Sequence, residues 1–407
     1  MSRPRLEVAD VVRQHGDAFL ERYGHRLSGA QHRALRAIEL CRTAALGGHL
    51  TQCDRCEHQE PAYNSCRHRS CPKCHGARQA TWLANRQREV LPTPYVHVIS
   101  TLPQELSPLV LQNPHVLYPL LFHTVSQSLL DIGGDPKHLG AELGGLAVLH
   151  TWGQQLQHHP HLHCLLPAGG VAPDGARWVP CRPDFFLPVR VLSRRFRRLF
   201  LEQLERLYGQ GQLTLAGRCR DLAEPKPWKG LLATLRDKEW VVYAKEPCDS
   251  EHVLKYLSRY VYRVAISNHR LVALEDGQVT FRYKDYKRGN QLRTRTLEAV
   301  EFLRRLMLHV LPKGLHKVRY FGLMANRRRS HKLAQCHTLL GQAADAIGAS
   351  ERSEPDDIGA NELSGIPVQP DDVCPVCRQG RMQLVKTYYR HRAAWDLTIA
   401  IPDMDTS

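Results

Sequence analysis

The sequence predicts an α+β protein with a small cysteine-rich module near its N-terminus. Three observations carry this reading. Segments with apolar residues at helical spacing are interspersed with short, strand-like apolar runs along the 407 residues. Two pairs of those runs read as hairpins, which makes their strands antiparallel. Five of the thirteen cysteines fall between Cys53 and Cys74, in a stretch with little hydrophobic periodicity.

Taken in order, "VADVVRQHGDAFLERY" and "GAQHRALRAIELCRTA" predict helices within residues 1–45. Residues 46–80 are rich in Cys, His and Gly, as in a module held by metal rather than by a core. "PYVHVISTLP" (94–103) reads as a strand ended by proline, and residues 113–132 as a helix. "GGLAVLHTW" (144–152) and "HLHCLLP" (161–167) read as two strands of a hairpin with a long loop. Residues 191–208 and 249–264 read as helices. Asp276-Gly277 between two apolar-alternating runs predicts a second hairpin over 269–286. A helix is expected over 296–311, followed by the basic stretch "HKVRYFGLMANRRRSHK". Residues 345–372 are acidic and poor in aromatics, as in a flexible linker, and a short tail carries Cys374 and Cys377.

Lys and Arg outnumber Asp and Glu by 56 to 40, a net charge of +16. That balance fits a polyanionic partner such as nucleic acid, although a generally basic soluble protein shares it. The N-terminus has charges in its first turns and no apolar signal core, and no stretch is apolar enough to span a membrane. A cytoplasmic, nucleoid-associated protein is therefore expected. An odd number of clustered cysteines suits metal binding better than a disulfide framework.

Cys53-x2-Cys56 and Cys71-x2-Cys74 are two knuckles fourteen residues apart. Each places two thiolates on one tight turn, and the pair closes a tetrahedral zinc site. Cys53, Cys56, Cys71 and Cys74 are the expected ligands, against the alternative of free thiols. Cys66, His68 and His49 lie close enough to replace one of them. Four thiolates leave no open position, so the zinc is expected to be structural. Arg55, Arg67, Arg69 and Lys73 within the module suit a phosphate backbone. Cys374-Pro-Val-Cys377 is a single knuckle without an obvious mate; Cys336 and His337 are the nearest candidates.

On a strand, His161 and His163 face one side while Leu162 and Cys164 face the other. Two neutral imidazoles together form half a site for a divalent metal, though a solvated strand face would look the same. In "EHVLKYLSRYVYRVAISNHR", helical spacing puts Leu254, Leu257, Val261 and Val264 on a buried stripe. Tyr256 and Tyr260 form a row beside it, and Lys255, Arg259 and Arg263 a basic row beyond. Two phenols beside cations suit nucleophilic attack on a phosphodiester, with metal, Arg or Lys stabilising the developing charge. The bland alternative is a pair of amphipathic rim tyrosines.

Taken together, "YNSCRHRSCPKC", "HVISTLP", "LHTWGQQLQHHPHLHCLLPAGG", "YLSRYVYRVAISNHRL", "FLRRLMLHVLPKGLHKVRYFGLMANRRR" and "CPVC" resemble the rolling-circle insertion-sequence transposases, the IS91 group of the two-tyrosine HUH endonucleases. The matching stretches run in order from about residue 49 to residue 377. The resemblance implies a central antiparallel sheet with flanking helices, akin to an RNA-recognition fold, with the histidine pair on a central strand and the tyrosines on a facing helix. It implies that His161 and His163 hold Mg²⁺ or Mn²⁺ at the scissile phosphate. Tyr256 and Tyr260 would each attack a strand of single-stranded DNA at the element ends or target. The products would be a 5′-phosphotyrosine and a free 3′-hydroxyl that primes the host replication machinery. A third metal ligand is expected at Gln154, with Gln155 second, since carboxamide oxygen suits a hard cation. Lys255, Arg259, Arg263, Arg327, Arg328 and Arg329 are expected to contact DNA. Where the family has His immediately before the second zinc knuckle, this chain has Ser70, with His68 two residues earlier.

The implied domains are 1–90 (helices and zinc module), 91–312 (nuclease), 313–345 (basic extension), 346–372 (linker) and 373–407 (tail). A plasmid replication initiator or relaxase would share the chemistry. A non-catalytic zinc-dependent DNA-binding regulator would need the module but neither histidines nor tyrosines. A His-x-His hydrolase leaves the Tyr/Arg segment unexplained.

Overall fold

The computed structural model describes residues 5–74, 89–182, 186–248, 261, 263–347 and 373–389. The N-terminal part holds α1 (Val8–Tyr23), α2 (Gly29–Leu40), β1 (Gly48–Cys53) and β2 (Gln59–Tyr63). Ser28 caps α2 in a reciprocal box with Gln31, which satisfies amide groups at the helix start. Next come β3 (Tyr95–Thr101), α3 (Ser107–Gln112), α4 (Pro114–Gly134), β4 (Gly144–Trp152) and β5 (His158–Pro167). A small ribbon of β6 (Gly169–Val171) and β7 (Trp178–Pro180) precedes α5 (Val189–Gly209), α6 (Pro225–Asp237) and β8 (Val242–Cys248). The chain continues through β9 (Leu271–Glu275), β10 (Gln278–Asp285), β11 (Gln291–Glu298) and α7 (Ala299–Met307). Last are β12 (Val318–Gly322), α8 (Arg329–Ile347) and β13 (Met382–Tyr388). The fold is a mixed α and β structure built on antiparallel sheets.

The central sheet has the order β12-β4-β5-β3-β8, every neighbouring pair antiparallel. Because side chains alternate, its two faces differ in chemistry. Val96, Val98, Leu162, Cys164, Leu166, Ala147, Leu149 and Phe321 form the back face. They pack against Leu117, Leu121 and Val125 of α4, and Phe196 and Phe200 of α5, in the main core. The front face carries Leu146, Val148 and His150 from β4 opposite Leu165, His163 and His161 from β5. Both faces of β4 are buried, so its sequence reads as a nearly continuous apolar run.

A second core joins α1, α2 and α7 to the three-stranded sheet β9-β10-β11. Phe19, Phe281 and Phe302 are fully buried there. Asp276 (φ 48°) and Gly277 (φ 71°) both take the left-handed conformation between β9 and β10. This is the tight hairpin turn that Asp-Gly predicts.

Three expectations are corrected. Residues 296–298, expected to open a helix, instead end β11, because their backbone pairs with β10, and α7 begins only at Ala299. The basic stretch after residue 313 is no separate extension: β12 is an edge strand of the central sheet, hydrogen-bonded to β4. Strand β5 starts at His158 rather than His161, and His158 pairs with Trp152. β8 escaped the sequence reading because an edge strand with Tyr243 exposed within it and Val241 exposed just before it shows weak patterning. Among the described residues no helix is long and apolar enough to cross a membrane.

Two buried histidines make the fold acid-sensitive. His158 lies between Ser107 Oγ (2.6 Å) and Tyr118 Oη (3.0 Å), and burial holds it down to about 3. The Nε2–H of His309 donates to the Leu156 carbonyl (3.1 Å) while Nδ1 accepts from Thr151 Oγ1 (3.2 Å), and burial holds it down to about 4. Below about pH 6.5 the unfolded chain takes up protons that these neutral rings refuse. Stability is therefore full above that pH and falls toward pH 4, with a slope of up to about 1.4 kcal/mol per pH unit for each ring. Urea titrations across this window should show the loss, and His309→Gln, which can keep both hydrogen bonds, should reduce the slope. A pH-independent midpoint in the wild type would overturn the assignment.

Candidate functional site

The front face of the central sheet gathers histidines. Antiparallel register sets His150 directly opposite His161, and His163 lies two residues further along β5 on the same side. One ring nitrogen from each of His150, His161 and His163 can be chosen so that all lie within 4.8 Å of one another. His161 donates Nδ1–H to the His159 carbonyl (2.7 Å), which leaves Nε2 as the ring nitrogen with a free lone pair. His163 Nδ1 lies 2.8 Å from His97 Nε2 on β3, and the two rings stack almost parallel at 5.0 Å. A ring-to-ring hydrogen bond of this kind orients a metal-binding imidazole from behind.

Burial and nearby positive charge keep these rings neutral. His161 is held down to about 4, mainly by burial, with Arg263 among the opposing charges. His97 falls to about 4 through burial and the Lys245 ammonium. His163 lies far below the ordinary histidine range, again mainly through burial. The neutral imidazole is the form that binds metal.

Gln154 and Gln155 do not join this group. Gln154 donates to Tyr286 Oη (3.1 Å), and its carboxamide oxygen accepts from the Lys284 amide (3.4 Å). Gln155 accepts from the Arg295 guanidinium through its side chain. Both tie the β4–β5 loop to the β10–β11 hairpin. The third member beside His161 and His163 is His150, and His97 is a fourth ring the sequence reading passed over. The signal for His150 was its place at the end of the strand predicted to pair with the histidine strand.

Tyr256, Tyr260, Lys255 and Arg259 lie outside the described residues. Val261, which follows Tyr260 in sequence, packs on Leu146 and Val148, the front-face neighbours of His150. The Lys317 ammonium donates to the carbonyls of Val261 (3.2 Å) and Arg263 (2.7 Å) and lies 5.2 Å over the Trp152 ring. Burial and the charges of Arg69 and Arg263 draw Lys317 down to about 7. Arg263, Arg327 and Arg328 are exposed, whereas Arg329 pairs with Glu89 and sits 4.0 Å over the Tyr320 ring. The far end of the β10–β11 hairpin adds Arg282, Lys284, Arg288 and Arg293 beside exposed Tyr286 and Leu292. This basic, aromatic surface was read in the sequence only as a hairpin.

The four cysteines expected to share one zinc are divided between two clusters. Cys71 and Cys74 group with Cys41 and Cys66; Cys53 and Cys56 group with Cys374 and Cys377. In the first group, Cys41 and Cys66 each lie near Cys74, with sulfurs 3.4 and 3.5 Å apart. Hydrogen bonding from the Cys66 thiol is the leading influence that draws Cys41 down to about 7. Cys41, Cys71 and Cys74 also belong to the second core, so this cluster is embedded in the helical region. His68 instead receives the Ser70 amide at Nδ1 (3.2 Å). Two cations expected to face phosphate are used internally. Arg69 donates to the carbonyls of Leu311, Pro312 and Leu315 (2.6, 2.7 and 2.9 Å), and Lys73 pairs with half-buried Glu7 (2.5 Å).

Comparison with known proteins bears on both parts of the molecule. A family model described as "Putative transposase" matches residues 144–332, and one described as "Transposase zinc-binding domain" matches residues 11–102. The first range contains His150, His161, His163 and both tyrosines; the second contains the whole Cys41 cluster. A Sinorhizobium fredii protein named "Putative transposase y4qJ" is 49% identical over 389 residues, covering 95% of this chain and 97% of its own. The "Transposase for insertion sequence element IS801" of Pseudomonas savastanoi pv. phaseolicola is 28% identical over 309 residues, covering 74% of this chain and 72% of its own. No solved structure matches. With a near full-length relative at this identity and both family models in place, the chain belongs to the IS91 family of insertion-sequence transposases, with an N-terminal zinc-binding domain.

Proposed function

We propose that this transposase nicks and rejoins single-stranded DNA at its element ends by tyrosine chemistry at the His150–His161–His163 face. The observation that carries the proposal is the convergence of three buried or half-buried histidines beside the docking point of Val261. The five-stranded antiparallel sheet with helices on its back supports an HUH-type, RNA-recognition-like fold for this part of the chain.

In this reading a phenol oxygen of Tyr256 or Tyr260 attacks the scissile phosphorus. The P–O3′ bond breaks, the 3′-oxygen leaves with a proton as a hydroxyl, and a 5′-phosphotyrosine remains. Attack by another 3′-hydroxyl reverses the step, so rejoining needs no ATP. The second tyrosine allows a second transfer, and the released 3′-hydroxyl can prime synthesis by host enzymes. Three neutral imidazoles form a softer set than the oxygen cage Mg²⁺ prefers and fit Mn²⁺ well. When bound, such an ion would polarise the scissile phosphate. Lys317 holds the carbonyls of Val261 and Arg263, and so fixes the end of the tyrosine segment relative to β4. Arg263, Arg327, Arg328 and the β10–β11 hairpin supply positive charge for the DNA backbone.

An adduct assay tests the chemistry. Labelled single-stranded DNA from the element ends, incubated with protein and Mn²⁺, should give a covalent band on a denaturing gel. The band should vanish with EDTA and in the Tyr256→Phe/Tyr260→Phe double variant. Bound DNA without any adduct would remove the tyrosine mechanism in favour of a regulator.

The metal site makes a separate prediction. His150→Ala should abolish or severely weaken Mn²⁺ binding measured by calorimetry, and His97→Ala should weaken it by about 10- to 100-fold through lost orientation. Gln154→Ala should leave it unchanged. Weakening by Gln154→Ala but not by His150→Ala would restore the glutamine as third ligand.

A further inference from the structure

The second cysteine cluster joins parts of the chain that sequence separates widely, and half of it lies beyond the matched zinc-binding region. Cys56 and Cys374 are 318 residues apart, yet their sulfurs are 3.6 Å apart. Cys53 and Cys377 are separated by 3.7 Å, and all four sulfurs lie within 4.8 Å of one another. Four thiolates about 2.3 Å from one zinc ion stand about 3.8 Å from each other. We propose that Cys53, Cys56, Cys374 and Cys377 bind a second zinc ion that clasps the C-terminal segment onto the N-terminal module.

The two knuckles have the same local geometry. The residue after the second cysteine is left-handed in both, Glu57 at φ 58° and Arg378 at φ 55°. In both, its amide donates to the carbonyl of the first cysteine, Glu57 to Cys53 (3.2 Å) and Arg378 to Cys374 (2.9 Å). Backbone amides also point at sulfur: those of Arg55 and Cys56 at Cys53 (3.4 and 3.5 Å), and that of Gly380 at Cys377 (3.3 Å). Such amide-to-sulfur bonds stabilise thiolate rather than thiol and orient it for an ion. A Cβ on Gly380 would collide with Cys53 Sγ, so a bare backbone is what lets the knuckles meet.

Among the described residues, the tail is otherwise held by strand pairing and a few polar contacts, such as the Arg381 amide to Asp54 Oδ1 (2.8 Å). β13 pairs with β1 from Gly48↔Tyr388 to Cys53↔Met382, but six of its seven residues are exposed. Leu384 is 64% exposed and Val385 54%. Strand pairing without an apolar face is marginal in water. Zinc binding, with release of the thiol protons to solvent, supplies the missing free energy.

The test uses the full chain, purified reduced. Elemental analysis should find two zinc ions per chain in the wild type and one in Cys374→Ser/Cys377→Ser. A single ion in both would overturn the proposal, as would disulfides in place of metal. As a second readout, a specific protease site is inserted between residues 355 and 356 and cleaved. The two fragments should co-elute in zinc and separate when the Cys374→Ser/Cys377→Ser form is cleaved in the same buffer. Fragments that separate in the zinc-loaded wild type, or stay together in the variant, would overturn it. Neither readout depends on DNA cleavage, so failure here and failure of the strand-transfer reading are distinguishable.

Discussion

The pairing of β4 with β5 is the constraint on which the site depends. Its register sets His150 against His161 and Val148 against His163, while Ala147 and Leu149 face Cys164 and Leu162 on the other side. A slip of one residue would turn the imidazoles into the main core and the leucines toward the front. Buried imidazoles without hydrogen-bond partners are costly, so the core itself enforces the register. Gly145 helps, because a Cβ there would meet the Leu165 carbonyl at 2.5 Å.

The histidine face also lies where two cores meet. The loop between β4 and β5 drives Leu156, at φ 62°, fully into the second core, and His309 grips its carbonyl. Gln154 and Gln155 bind the β10–β11 hairpin from the same loop. Arg69 reaches from the cysteine module to the carbonyls around residue 312, five residues before Lys317. Histidines, basic hairpin, cysteine module and residues Val261 and Arg263 are thus tied together by hydrogen bonds to side chains and backbone. Preorganisation of this kind is what the proposed strand transfer would use to stabilise charge at a phosphate.

The cysteines illustrate a different economy. Two knuckles adjacent in sequence need not share an ion, because each is a rigid turn that pairs with whatever thiols the fold delivers. Cys71 and Cys74 face the C-terminal end of α2, where Cys41 stands, while Cys53 and Cys56 lie at the end of β1 beside the returning tail. The Cys41 cluster is packed among apolar side chains, and the Cys53 cluster lies at one end of a three-stranded sheet whose outer strands β2 and β13 are exposed.

The sequence by itself determined the class of the molecule and marked its local motifs, the His161/His163 pair and the cysteine knuckles, but offered Gln154 where the fold brings His150. Alternation in "HLHCLLP" placed two imidazoles on one face, Asp-Gly marked a hairpin, and cysteine spacing marked metal knuckles, because each is a property of a few consecutive residues. The partners were decided by tertiary structure. His150, His97, Cys41 and Cys374 reach their sites through strand register, helix packing and a chain return of more than 300 residues. Local periodicity carries no information on those distances. Gln154 had suitable chemistry and position in sequence, but the hairpin, itself unread as a basic surface, took both of its polar atoms. Spacing reports which side chains share a turn or a strand face; only the packed fold decides which turns and faces meet.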